Sequence, residues 1–592
     1  MPRAIGRARR AQRPSGWTLA VAGLLLGALA LRLWGIKQGL PYVYNVDEAS
    51  NFVPTAISYY FTDSWNPHYF VNPPAYSYLL HAVFATWFGG GWPFGAKHEV
   101  ARAYATDPTA TFVAARATAA VLGTAAVGFI YLTGARLYDR RVGLIAGGVL
   151  AVSFLPVFYS HLALNDVPAL LPLTVSVWGS AGVLLYGRRR DYLVAGAALG
   201  VAAATKYTAG IVVLPLVVAI AARAVREPGN HRALVRGAVL AGAASAVAFV
   251  LSNPHALLSF HEFWSGVRKQ QETASGFGKL GLDHESGVGY YVWALTWGLG
   301  WAPLAAAVLG AAVAVRRDIW RGLFLVPWPI LFTLYMGVQS RYFGRWLLPA
   351  FPALALLAAV GVVWAADRIR APAWRTAALA GLGAALLAQG LVYSVHADRV
   401  LSRDDTRNAA RAWMVGNVPA GSKVVVEPIV PDAWFTDAGG RATLEAAVRE
   451  GAAPSGRRWI KFPTGRTTID PATGKPRRGG KGRFVTQEDY ERTTRPALVG
   501  AYERGGYCWV VAGSTQYGRA LRDPGQVPNA IAYYRQLARS ADLVHAVSPY
   551  RSGHGPVKFN FDWSFDYYPM AYERPGPTVL IYRLHEAACR RA

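Results

Sequence analysis

The chain has 592 residues, of which 53% are hydrophobic and only 16% charged, and its mean hydropathy is +0.21. That balance excludes an ordinary soluble protein, and successive apolar runs of roughly 18 or more residues read as a polytopic α-helical membrane protein. The formal net charge of +27 does not point to nucleic acid, because Arg and Lys cluster in short loops between apolar runs and no basic reader motif is present.

In chain order, the basic segment MPRAIGRARRAQR leads into the apolar run WTLAVAGLLLGALALRLWGI with no clear small-residue cleavage site, which reads as an uncleaved signal anchor. Spans are expected at approximately 17–36, 110–134, 143–161, 167–186, 191–205, 208–225, 233–252, 288–315, 321–338, 345–365 and 373–394, about eleven helices in all. With the N-terminus inside, the cytoplasmic loops are ARLYDRR, GRRRD, REPGNHRALVR, RRDIWR and DRIRAPAWR, every one of them basic. The opposite face then carries the long 37–109 segment, HLALND, ATKYTA, the 253–287 segment and QSRYFGR. The apolar stretch at 73–88 begins with Pro73-Pro74 and is short for a crossing. Counting it as one would invert every later loop, so it reads as a juxtamembrane or re-entrant helix.

Composition changes after residue 396. The runs SKVVVE, YCWVVAG, ADLVHAV and TVLIYRL read as strands, and TRNAARAWMVGNV and AIAYYRQLARSA as amphipathic helices. The expected organisation is therefore a transmembrane domain over 1–396, with 37–109 as its first extracytoplasmic loop, and an extracytoplasmic α/β domain over 397–592. Residues 451–485, rich in Gly, Arg and Lys, read as a mobile loop without Walker spacing. Cys508 and Cys589 both fall in this second domain; two cysteines exclude a disulfide framework or cysteine metal cluster and leave room for one bridge.

Polar residues gather on the outer membrane face in this topology. The acid pair Asp47-Glu48 follows the first span, Asp166 starts the fourth, Lys206 lies in the next outer turn, His255 and His261 follow the seventh, and Arg341-Tyr342 precede the tenth. Acids and cations on one leaflet, outside span centres, suit a reaction on an amphiphile whose head group carries phosphate. Each has a plainer reading. Asp47-Glu48 can be a solvated loop pair, Asp166 can N-cap a helix beginning near Pro168, and Lys206 or Arg341 can snorkel. The histidines lack metal-ligand spacing. The aromatic-rich 42–88 segment, including Tyr44 and Tyr69 around His68, serves equally as an interfacial belt or as a stacking surface for a sugar.

The acidic pair after span one, NPHYFVNPPAYSYLL, the long RATAAVLGTAAVGFIYLTGARLYDRRVGLIAGGVLAVSFLPVFYSHLALNDVPAL segment, GVAAATKYTAG and SRYFGRWLLPAFPALALLAA occur in that order. Together they resemble the GT-C membrane glycosyltransferases. The nearest branch is the family-39-like group of dolichyl-phosphate-mannose protein mannosyltransferases and bacterial aminoarabinose transferases. The resemblance covers residues 1 to about 395 and implies a polyprenyl-phosphate-linked sugar donor used on the extracytoplasmic face. It also implies a catalytic aspartate at Asp47, a second at Asp166, and a donor-phosphate arginine at Arg341. One departure is Asn72, where the aminoarabinose transferases carry a lysine before the paired prolines.

The expected reaction is inverting transfer with Asp47 as general base and Glu48 beside it, and with Asp166 as an orienting, sugar-binding or cation-holding acid. Lys206, Arg341 and Tyr342 would meet the donor phosphate, and Tyr44, His68, Tyr69 and His255 the substrate. A divalent cation (Mg²⁺, Mn²⁺ or Ca²⁺) near the leaving phosphate is compatible with hard carboxylates. A membrane lipid environment and a glycan, lipid or protein acceptor complete the expected partners, with no nucleic acid. The rival readings are a transporter or flippase of a lipid-linked saccharide and a non-catalytic assembly protein.

Overall fold

The computed structural model describes residues 15–62, 64–89, 97–275, 280, 286–436, 457–463, 467–469, 476–478, 483–484, 490–557 and 568–585. The basic start of the chain, 1–14, lies outside these residues. The protein is a multi-pass helical membrane protein with a small α/β unit following its last long helix. Eight helical stretches among the described residues are long and apolar enough to cross a membrane. Three further expected spans fall on shorter helices: Arg140–Val152 with Phe154–Tyr159, Leu170–Tyr186, and Arg189–Thr205.

The first of these is interrupted because Pro156 has no N–H to return to the Val152 carbonyl. Ser153 turns extended at the break, and the Ser394 hydroxyl donates to the Val152 carbonyl at 2.9 Å. Helix starts follow capping chemistry. Ser15 accepts from the Thr18 amide at 3.2 Å, Asp139 from the Arg141 and Val142 amides at 2.8 and 3.0 Å, and Asp405 from the Arg407 amide at 2.9 Å.

Helix association in a bilayer relies on close backbone approach rather than hydrophobic expulsion. Trp301–Arg317 and Phe351–Asp367 meet through Gly310 and Gly361. A Cβ on Gly310 would stand 1.8 Å from the Leu357 carbonyl oxygen, and one on Gly361 2.3 Å from that of Ala306. Arg32, at the end of the first helix, is buried and donates to the Ala28, Ala151 and Leu150 carbonyls. Between the first and second long helices lie three helical pieces: Glu48–Ser58, Ala75–Gly89 and Lys97–Thr106.

The C-terminal unit is a mixed five-stranded sheet. In chain order its strands are β1 (Lys423–Val426), β2 (Ile460–Lys461), β6 (Trp509–Gly513), β7 (Ala541–Val547) and β8 (Val579–Leu584). Their spatial order is β2-β1-β6-β8-β7, with β1 parallel to β2 and β6 and the remaining pairs antiparallel. Met414, Leu537 and Tyr533 from the flanking helices Thr406–Asn417 and Pro528–Ser540 pack on Val424, Val510 and Ile581. Within the basic 451–485 stretch, read above as a loop, β3 (Thr467–Ile469), β4 (Pro476–Arg478) and β5 (Arg483–Phe484) pair antiparallel in the order β4-β3-β5. The β-branched Thr467-Thr468-Ile469 run favours the central position, and the Gly-rich connections lie outside the described residues. Cys508 is half of a disulfide, while Cys589 lies outside the described residues.

The two parts are docked through the segment after the first helix. Tyr44 donates to Asn408 at 2.5 Å, and the Arg407 guanidinium lies 3.5 Å from the Tyr44 ring centroid. His396 Nε2 is 3.0 Å from the Pro569 carbonyl oxygen.

Candidate active site

Asp47 and Glu48 open a short helical turn, and their side chains point to different faces of it, as neighbours about 100° apart on a helix do. The Glu48 side chain is 0% exposed and that of Asp47 37%. Glu48 forms a bidentate pair with buried Arg116, Nε to Oε1 at 2.7 Å and Nη2 to Oε2 at 2.8 Å. It also accepts from the Ala163 amide at 2.9 Å. Arg116 Nη1 donates to the Ile36 and Gln38 carbonyls at 2.8 and 2.9 Å. One ion pair thereby fixes three segments: the chain after the first helix, the helix Thr109–Leu137, and the turn leading to Asp166.

Asp47 instead faces a cavity of about 350 Å³, within the range of small-ligand sites. Arg345 Nη2 donates to Asp47 Oδ2 at 2.6 Å, and Asn51 donates to Asp47 Oδ1 at 3.3 Å. Arg345 Nε lies 3.9 Å from Asp166 Oδ2, so one guanidinium stands between the two acids. Lys206 is ion-paired with Asp166 Oδ1. Its helix, Arg189–Thr205, ends at Thr205, and Asn165 Nδ2 ties that end down by donating to the Thr205 carbonyl at 2.8 Å. Lys206 is 8% exposed, so it is a buried partner of Asp166 rather than a residue reaching for water. Asp166 does not cap the following helix: the N-cap position of Leu170–Tyr186 is Ala169.

Of the residues expected from sequence, Asp47, Asp166, Lys206, Arg341 and Tyr69 line this cavity. Tyr69 accepts a hydrogen bond from Asn72 Nδ2 at 3.1 Å, and burial, reinforced by the charge of Asp47, pushes its hydroxyl up to about 12. It therefore stays a neutral donor. Asn72 also lines the cavity, where the aminoarabinose transferases carry lysine.

The other candidates lie elsewhere. Glu48 is in the pair with Arg116. Tyr44 is packed under Arg407. Tyr342 packs at a tilt against Tyr290, ring centroids 4.9 Å apart. His68 Nδ1 is 3.1 Å from Glu262 Oε2, and His255 Nδ1 is 3.1 Å from the Ser259 hydroxyl. None of these five is in the lining.

Sequence reasoning missed Arg345, four residues beyond Arg341 in the same SRYFGR motif, and Arg519, which reaches the cavity from the C-terminal unit. A smaller cavity of about 80 Å³ adjoins the first and shares Lys206, Asn72, Gln270 and Trp346 with it. Tyr335 and Met336, on a helix whose Ile330, Leu331 and Leu334 are exposed, also line it.

A divalent cation does not fit the two acids as they stand, because Arg345 occupies the space between them and Lys206 holds Asp166. Among the described residues, no group of three or more His, Cys, Asp or Glu is gathered to hold a metal ion.

The dolichyl-phosphate-mannose-protein mannosyltransferase family model matches residues 109–257. No curated protein matches the sequence. Among solved structures, the archaeal oligosaccharyltransferase AglB from Archaeoglobus fulgidus, in complex with an inhibitory peptide and a dolichol-phosphate, aligns with a TM-score of 0.52. That alignment has 12% identity over 96% of this chain and 88% of AglB. ArnT from Cupriavidus metallidurans bound to undecaprenyl phosphate aligns with a TM-score of 0.44 and 13% identity, over 96% of this chain and 98% of ArnT. The protein O-mannosyltransferase Pmt1-Pmt2 complex of S. cerevisiae, bound to its sugar donor, aligns with a TM-score of 0.33 and 18% identity, over 46% of this chain and 39% of that one. The chain thus has the fold of the GT-C superfamily of membrane glycosyltransferases.

Proposed function

We propose that the protein is a glycosyltransferase that moves a sugar from a polyprenyl-phosphate carrier to an acceptor hydroxyl on the extracytoplasmic face, with inversion. The observation that carries this reading is the convergence of Asp47, Asp166, Lys206, Arg341 and Arg345 around one cavity at the ends of the spanning helices. The family match and the dolichol- and undecaprenyl-phosphate complexes of structurally similar proteins support the carrier class.

In the proposed step, the acceptor hydroxyl gives its proton to Asp47 as its oxygen bonds to the anomeric carbon. The bond from that carbon to the phosphate oxygen breaks, and the electron pair leaves with the polyprenyl phosphate. General-base help of this kind is worth roughly 10²–10⁴-fold. Lys206 meets the departing phosphate as a point charge, and Arg341 and Arg345 meet it as forks. Lys206 is placed for this task because it belongs to both cavities, and the smaller one lies beside an apolar, outward-facing helix along which a prenyl chain can run. Asp166 holds Lys206 and shares Arg345 with Asp47, which makes it an orienting residue. The outer-face assignment rests on the basic loops at the opposite ends of the helices and on the Cys508 disulfide, which suits an oxidising compartment.

The test is acceptor-dependent release of free polyprenyl phosphate from candidate polyprenyl-phosphate sugars by the purified protein. Asp47→Asn should abolish release while donor binding persists, and normal turnover by that variant refutes the assignment. A transporter would move the lipid without releasing its sugar. The carboxylates here sit at helix ends rather than in mid-span, which favours transfer.

A further inference from the structure

Among the described residues, Arg519 is the one that lines the cavity from the C-terminal unit, on the helix Ser514–Arg522. We propose that it forms an anion-binding subsite for the acceptor, which therefore carries a carboxylate or phosphate close to the hydroxyl that attacks. The inference rests on the transfer reaction proposed above and extends it to the acceptor's chemistry.

Three observations support it. First, the placement is built. Arg519 is 4% exposed, and its Nη1 lies 3.3 Å from Gln516 Oε1 and 4.0 Å from Oε1 of Glu491, itself 1% exposed. A guanidinium at a free surface needs no such backing. Gln516 Oε1 accepts from one arm of the fork, and the Glu491 charge behind it balances the guanidinium.

Second, the helix that bears it is seated on the membrane part. Leu280, in the segment between the helices Phe260–Ser275 and Gly287–Leu295, is buried against Ala520, Val527 and Ala530. Ala520 adjoins Arg519, so this apolar contact registers the arginine over the cavity.

Third, the two ends of the site differ. The smaller, lipid-side cavity shares Lys206 with the larger one, whereas Arg519 lines only the larger, together with Asp47 and Arg345. A lipid-tethered donor enters from the membrane side and places its phosphate by Lys206. A water-soluble or head-group acceptor enters past the C-terminal unit, where Arg519 lines the same cavity as the proposed base. A fork of donors next to the attacked position selects an acceptor by a nearby planar or tetrahedral anion.

The experiment uses the full chain in nanodiscs saturated with undecaprenyl phosphate, so that the donor-phosphate position is filled. Binding of glucuronate, glucose 6-phosphate and glucose is then measured by equilibrium dialysis. The two anionic sugars are expected to bind roughly 10- to 100-fold more tightly than glucose, the range of charge-assisted hydrogen bonds. Arg519→Gln should bring all three to the weak level, and Arg519→Lys should keep part of the preference. Undecaprenyl phosphate affinity should be unchanged in both variants, while loss of the charge facing buried Glu491 lowers the melting temperature of Arg519→Gln. Equal binding of neutral and anionic sugars by the native protein overturns the proposal. So does an Arg519→Gln variant that keeps the preference, or one whose only losses are undecaprenyl phosphate binding or stability. Absence of acceptor-dependent polyprenyl phosphate release by the native protein would instead refute the transfer reaction, and this binding measurement does not depend on turnover.

Discussion

Asp47 and Glu48 are adjacent, chemically alike and differ in almost every structural respect, so exchanging each for its amide should give opposite phenotypes. Glu48→Gln keeps the shape but removes the charge facing Arg116. Glu48 accepts three hydrogen bonds, from Arg116 Nε and Nη2 and from the Ala163 amide. A glutamine has one oxygen for these donors and turns an NH₂ toward the guanidinium. Both native partners are essentially inaccessible to water, so the arginine charge is left without its counter-ion. Breaking a buried pair from one side costs about 3–5 kcal/mol. Asp47→Asn, by contrast, alters an ion pair whose carboxylate is 37% exposed, a loss of about 1 kcal/mol or less. Its expected cost is kinetic, roughly 10²–10⁴-fold in transfer.

Thermal unfolding in nanodiscs, followed by tryptophan fluorescence, measures the first effect, and polyprenyl phosphate release measures the second. Glu48→Gln should melt well below the native protein, and pairing Glu48→Leu with Arg116→Met should recover part of the loss, because two apolar groups leave no buried charge. Recovery is partial because Arg116 also holds the Ile36 and Gln38 carbonyls. If Glu48→Gln were as stable as the native protein and as inactive as Asp47→Asn, the division of labour between the two acids would be wrong.

Other consequences are equally direct. Arg345→Gln removes the group between Asp47 and Asp166 and should weaken undecaprenyl phosphate binding by roughly 10- to 100-fold, as loss of one charge-assisted contact does; native affinity in that variant would remove Arg345 from the phosphate site. Chelation with EDTA should leave transfer unchanged, because arginine and lysine already neutralise the two acids, and loss of activity restored by a divalent cation would contradict this. In the C-terminal sheet, burial raises Glu427 to about 8, against the pull of the Gly513 amide and Tyr534 hydroxyl that it accepts from. The folded state then binds more protons than the unfolded state between the ordinary carboxyl value of 4.5 and about 8, so stability is present at low pH and declines through that window by up to about 1.4 kcal/mol per pH unit. Hydrogen exchange at the amides of β1 and β6, corrected for intrinsic rates, should show protection falling as pH rises, and Glu427→Gln should flatten the profile.

Loop charge alone was enough to put Asp47, Asp166, Lys206 and Arg341 on one face, because the positive-inside bias fixes the sidedness of every turn once the first is set. The four strands and two helices picked out after residue 396 were legible for a different reason: β-branched runs and 3.6-residue periodicity are local signals. Side-chain direction is not local. Nothing in the dipeptide Asp47-Glu48 says which acid turns inward; that is decided by Arg116, 68 residues away along the chain. Arg345 had a signal, being the second arginine of a motif already singled out, but its spacing from Arg341 does not show that a tight helical turn over Gly344–Ala350 aims it between two acids.

Arg519 had no signal at all. It lies on a polar-faced helix in a different part of the fold, and it reaches the cavity because Leu280 and the segment after the first helix both pack on the C-terminal unit. Residues of this kind are set by docking between units rather than by pattern within either one. On the proposed reading, the base and the phosphate-facing cations follow from where the chain crosses the membrane. The proposed acceptor-facing group, Arg519, follows instead from how the C-terminal unit is placed over that crossing. A C-terminal unit that varied its helix Ser514–Arg522 while keeping Leu280's contact would therefore change acceptor preference without moving Asp47.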